Sequence, residues 1–117
     1  MAQWTSEKGK KKHVADHGDQ FMRNGVSNYE EELNEVYQFI CENPNGGQAK
    51  ICGRLFTITL VVRENGEYEY TISGGGASVR ILVLVGEQWL VKTYHKTNLS
   101  DNQGNTGGAS SSNIQYQ

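Results

Sequence analysis

The chain has 117 residues, 36% of them hydrophobic, with a mean hydropathy of −0.63 and a formal net charge of −2. That length holds one domain with one modest core, and no apolar run approaches the ~20 residues of a membrane-spanning helix. The charge excludes binding of nucleic acid by a bulk positive field, and the first residues lack the apolar segment of a secretory leader.

Residues 1–4 read as a frayed start. Thr5 or Ser6 can cap a helix that has Glu7 in its favourable first turn. From Lys10 to Met22 the pattern is helical, with Val14, Phe21 and Met22 as apolar anchors. Gly18 inside that run costs about 1 kcal/mol against alanine, and Asn24-Gly25 is a stop. Ser27-Asn28-Tyr29-Glu30 reads as a capping box, serine at the cap and glutamate three later. Tyr29, Leu33, Val36, Tyr37 and Ile40 then mark one apolar face of a helix over 28–42, with the glutamates mostly on the other, solvated side. Asn43-Pro44-Asn45-Gly46-Gly47 ends it.

Beyond Gly47 the pattern is that of strands. Lys50 to Val62 reads as one long strand, or two broken near Gly53. Glu64-Asn65-Gly66 is a hairpin turn, and Tyr68, Tyr70 and Ile72 alternate on the return strand. Gly74-Gly75-Gly76 reads as a wide turn; a phosphate-cradling loop is followed by a helix, whereas Ser78 to Val85 is a strand. Gly86-Glu87 turns into a last strand, Trp89 to His95. Residues 98–117 are too poor in apolar side chains to offset their ordering entropy. The expected fold is α+β, two N-terminal helices packed on a four-stranded antiparallel β-meander, with a folded domain over 5–97 and a Gly/Ser/Asn-rich tail over 98–117. Cys41 and Cys52 are too few for a disulfide framework or a zinc site. They are half-buried thiols, or one disulfide across the turn at 44–48.

Chemistry concentrates in Lys10-Lys11-Lys12-His13-Val14-Ala15-Asp16-His17-Gly18. His13 and His17 are four apart, which places them on one helix face about 6 Å from each other. Two imidazoles, each able to exist charged or neutral near neutral pH, suit an acid and a base flanking one phosphate, and lysines suit the charge that develops on it. A zinc site would need a third protein ligand and, in the zincin pattern, a glutamate after His13; the expectation is no metal and no cofactor. The bland alternative is a solvated polar helix face. The charge is also segregated, with Lys8, Lys10, Lys11 and Lys12 in one run and Glu30, Glu31, Glu32 and Glu35 in the next. A local basic cleft on a near-neutral body suits an enzyme that acts on nucleic acid without binding it tightly.

The Lys10-x-Lys12-His13-Val14-x-Asp16-x-Gly18 run resembles the signature of colicin D-type tRNA-cleaving toxin domains, within the wider barnase–EndoU–colicin–RelE nuclease fold. The last strand, Leu90-Val91-Lys92-Thr93-Tyr94, is similar to that group's final strand. The resemblance implies a metal-independent endoribonuclease that leaves a 2′,3′-cyclic phosphate and a 5′-hydroxyl. It implies His13 and His17 as base and acid; the second histidine, where a phenylalanine is usual, looks like EndoU-type members. Lys10 and Lys12 would bind phosphate, with Lys92 beside them, and Thr93 or Tyr94 would donate to the transition state. These two are adjacent, so a regular strand points them to opposite faces, and Lys92 or a bulge would change that assignment. It further implies RNA, tRNA first, as substrate and a cognate immunity protein as partner. The domain would act as a monomer in the cytoplasm of a target bacterium after delivery within a larger secreted protein. The rival expectation is a non-enzymatic α+β module that binds a protein partner, or an immunity protein or antitoxin acting through its acidic helix.

Overall fold

A computed structural model of the chain describes residues 1–74 and 76–97; the tail over 98–117 lies outside them. Helix α1 spans Glu7–His17 and passes into a 3₁₀ turn, Gly18–Phe21. A short hairpin, β1 (Met22–Arg23) and β2 (Val26–Ser27), leads to α2 (Tyr29–Glu42). Five strands follow: β3 (Gly46–Ile51), β4 (Arg54–Val62), β5 (Tyr68–Gly74), β6 (Ala77–Val85) and β7 (Trp89–Thr97). They pair antiparallel in chain order, β3-β4-β5-β6-β7.

The four-stranded expectation is therefore wrong: the meander has five strands and a separate two-stranded hairpin. The break near Gly53 is a full reversal. Ile51 pairs with Arg54, so Cys52 and Gly53 are a two-residue loop, and both have positive φ, 49° and 81°. That is the geometry of the primed hairpin turn, whose twist matches the flanking strands. Glycine adopts it freely, and Cys52 is carried into it by the pairing on either side. Asn24-Gly25 likewise closes β1 on β2 rather than only stopping a helix. Glu64-Asn65-Gly66 lies in the β4–β5 hairpin as read.

The predicted α2 face is the core-facing one: Tyr29, Leu33, Val36 and Ile40 are buried against Ile58, Tyr70, Ile72, Ile81, Val83, Val91 and Tyr94 of the sheet. The cap differs from the expected box. Asn28 is the N-cap, and the Ser27 hydroxyl donates to the Gly18 carbonyl at 2.7 Å while accepting from the Tyr29 amide at 3.3 Å. Glu30 reaches Lys10 instead, at 3.8 Å. In α1 the Ser6 hydroxyl does cap, accepting from the Gly9 amide at 3.0 Å. Both cysteines are free thiols.

The chain start is ordered by pairing, not frayed. Val91 donates to the Gln3 carbonyl at 2.6 Å, and the Thr5 amide donates to the Val91 carbonyl at 3.0 Å, so residues 3–5 run parallel along the free edge of β7. Gln20 accepts from the Lys96 amide further along that edge, at 3.0 Å. From α2, Tyr37 and Tyr29 donate to the carbonyls of Trp89 and Tyr94, at 2.7 and 2.5 Å. An unpaired strand edge invites aggregation; here it is satisfied by the N-terminal segment, which is what fixes α1 alongside β7.

At the other end of the meander Gly46 sets the first strand. Its φ is +86°, and an added Cβ would lie 2.2 Å from the Ile58 carbonyl oxygen. Gly46→Ala is expected to cost about 2–4 kcal/mol, because left-handed strain and a backbone clash add. A shift in the urea midpoint measures it, and a change below about 1 kcal/mol, within the usual run of point mutants, would contradict the geometry.

Candidate active site

Because α1 runs alongside β7, one side of it meets the strand. Four rings form a file there. Trp4 and His13 have centroids 5.6 Å apart, His13 and His17 5.8 Å, and His17 and His95 4.9 Å. His13 and His17 share a helix face as their spacing predicts. His95 was read from sequence only as part of the last strand, yet it completes the row. No residue of α1 is fully buried and His95 is half-buried, so all three imidazoles keep access to solvent.

The sheet register defines what else lies near. Directly paired residues of antiparallel strands point to the same face. Leu82 pairs with Thr93, and Arg80 with His95, while Thr71 pairs with Arg80 and Thr59 with Thr71. Thr59, Thr71, Arg80, Thr93 and His95 therefore share the face turned away from α2. Thr93 and His95, two apart on one strand, lie about 6.5 Å from each other.

Tyr94 points the other way. It is 1% exposed, stacks on Phe21 at 5.2 Å and meets Tyr29 edge-on at 5.2 Å. Burial holds its phenol far above the ordinary value, so it stays protonated. Tyr94 is thus a core residue, whereas Thr93 lies on the face of His95. The bulge falls at Lys92, since Leu82 pairs with Thr93 and Val83 with Val91.

The lysines expected on phosphate are engaged elsewhere. Lys10 faces Glu30 at 3.8 Å, Lys12 pairs with Asp16 at 3.1 Å, and Lys92 with Glu67 at 2.6 Å. Of the three, Lys12 acts on His17 by its charge, lowering its pKa, and so lies near the histidine file. The cation that shares its face is Arg80, whose Nε is held by Glu69 at 3.3 Å. Sequence reasoning missed Arg80 and His95 because it assigned no pairing partner to either.

His13 donates from Nδ1 to the Gly9 carbonyl at 2.9 Å. A carbonyl only accepts, so in the neutral ring Nε2 carries the free lone pair. His95 is oriented the same way by the Lys96 carbonyl, at 3.2 Å. Burial, then the charge of His13, pushes the His17 pKa down. Burial also lowers that of His95, against the Lys96 hydrogen bond that raises it; His17, Arg80 and His13 add to the lowering. A proton on His17 therefore opposes one on His95.

With folded values below the ordinary 6.5, the unfolded chain binds more protons in that window, so stability rises with pH up to 6.5 and then levels off. The urea midpoint is expected to fall as pH drops from about 7 to about 5, and His17→Gln with His95→Gln to flatten that slope. An unchanged slope in the double variant would refute the coupling.

Among the described residues no group of three His, Cys, Asp or Glu side chains is placed to hold a metal ion, and no helix is long and apolar enough to cross a membrane. No family model, curated protein or solved structure matches the chain.

Proposed function

We propose that this chain is a metal-independent endoribonuclease domain. RNA supplies the nucleophile, its 2′-hydroxyl. His13, with Nε2 free, takes the proton from that hydroxyl, and the imidazolium of His17 gives one to the departing 5′-oxygen. One O–P bond forms to the 2′-oxygen and one breaks to the 5′-oxygen, leaving a 2′,3′-cyclic phosphate and a 5′-hydroxyl. His95 acts as a positioning residue: partly buried, its ring packs against that of His17 at 4.9 Å between centroids. Thr93 and Arg80, on the His95 face, serve the crowded phosphate as hydroxyl and guanidinium donors. Substrate and setting follow the resemblance in the Lys10–Gly18 run: tRNA is the first RNA to test, an immunity protein is the expected partner, and delivery is within a larger secreted protein.

The observation that carries this reading is the alignment of three imidazoles along the β7 edge, beside a strand hydroxyl and an arginine. Expression of wild type and His13→Ala in bacteria separates it from a protein-binding module: wild type is expected to yield discrete RNA fragments and the variant none. Intact RNA with folded wild type would favour the binding module.

A further inference from the structure

On the opposite side of β7 lies a second feature, independent of the histidines. Lys96 follows His95 and pairs with Val79, a core residue, so it projects toward the α2 side. There a cleft of about 220 Å³ is lined by Phe21, Met22, Arg23, Glu32, Arg54, Phe56, Ala77, Val79 and Lys96. Three of these are cations and one is an anion. Arg23 is paired with Glu32 at 3.1 Å. Among the described residues Arg54 and Lys96 form no ion pair; each instead leans over an aromatic ring, Arg54 5.2 Å above Phe56 and Lys96 5.5 Å above Phe21.

Glu32 is 7% exposed. Burial raises its pKa, while Arg23, Lys96 and Arg54 all pull it down. All three cations thus converge on one buried carboxylate, which balances one of them. Two positive charges remain at the mouth of a cleft with aromatic walls. The cleft is smaller than the roughly 300–1,000 Å³ of a drug-sized site; its size suits a compact anion with part of what carries it. Guanidinium forks match phosphate oxygens, and the exposed Met22 thioether beside them offers apolar surface to the group that carries the phosphate.

We infer that this cleft is a phosphate subsite, taking a phosphate group borne on a nucleoside between Arg54 and Lys96. Arg23 is the inner cation, held in place by Glu32. Phe21 and Phe56 are the apolar walls that aim the two outer cations. The subsite does not require the histidine file to be catalytic.

The test is a residue-resolved NMR titration of the full chain with three probes: inorganic phosphate, a nucleoside 5′-monophosphate, and a short 2′-O-methyl oligonucleotide that lacks the reacting hydroxyl. Saturable shifts are expected at Arg23, Arg54 and Lys96 with all three. The probe that binds tightest identifies the source, a free nucleotide or a strand. Arg54→Gln with Lys96→Met, which keeps both stems and leaves the core untouched, is expected to weaken binding at least tenfold. The single Lys96→Met provides the same readout with less perturbation of the fold. Absence of saturable shifts, or equal affinity in the variants, would overturn the subsite. Shifts at His13 and His17 report the other site separately, so failure of the nuclease reading would leave these shifts in place.

Discussion

His13→Ala is expected to lower RNA cleavage by about 10²–10⁴-fold, the usual contribution of a positioned general base, with no loss of fold. The ring is half-buried, outside the core, and its removal leaves only the Gly9 carbonyl without a side-chain donor. In the helix that carbonyl still faces the amide four residues on, as α-helical geometry dictates. Cleavage rates on purified RNA, with the urea midpoint alongside, measure both halves of the statement. A fall in activity that only follows a fall in stability would mean that His13 is structural. His95→Gln is expected to act differently, lowering cleavage less than His13→Ala, because His95 only packs against the His17 ring, at 4.9 Å between centroids.

The second large effect is at Tyr94, where two substitutions part company. Tyr94→Ala removes the ring that packs Phe21 and Tyr29 together and should cost about 3–5 kcal/mol, as for other large aromatic truncations in cores. Against a total of about 5–15 kcal/mol that leaves a marginal protein. The loss reaches the site, because Phe21 ends the turn that carries α1 and the Tyr94 carbonyl anchors Tyr29. Tyr94→Phe should be nearly silent in both stability and cleavage, since the hydroxyl makes no hydrogen bond among the described residues. Thermal unfolding and the cleavage assay on both variants check this. Lost cleavage in folded Tyr94→Phe would restore the phenol as a catalytic donor.

The helical periods and the strand alternation were legible because burial enforces them: Leu33, Val36 and Ile40 face the sheet, and Tyr70 and Ile72 are buried on it. What escaped depends on contacts far apart in sequence. Cys52-Gly53 lacks the usual Asn-Gly signal, yet Ile51 and Arg54 pair across it and make the fifth strand. The first residues carry no pattern of their own; their order comes from the amide and carbonyl of Val91. Ser27 and Glu30 had the letters of a capping box, but Gly18 and Lys10 offered each a better partner. In the site, His13 and His17 were readable from helical spacing alone. His95 and Arg80 needed the register of β6 on β7, which no local pattern specifies. The lysines were read as ligands of an anion because the carboxylates that engage Lys10 and Lys92 come from distant elements.

The proposed transesterification leaves a chemical signature in its product. Purified protein incubated with tRNA in the presence of a chelator, followed by mass spectrometry of the fragment ends, is expected to give 2′,3′-cyclic phosphate on one side of each cut and 5′-hydroxyl on the other. Intact tRNA and total RNA, or fragments ending in 3′-hydroxyl and 5′-phosphate, would contradict it.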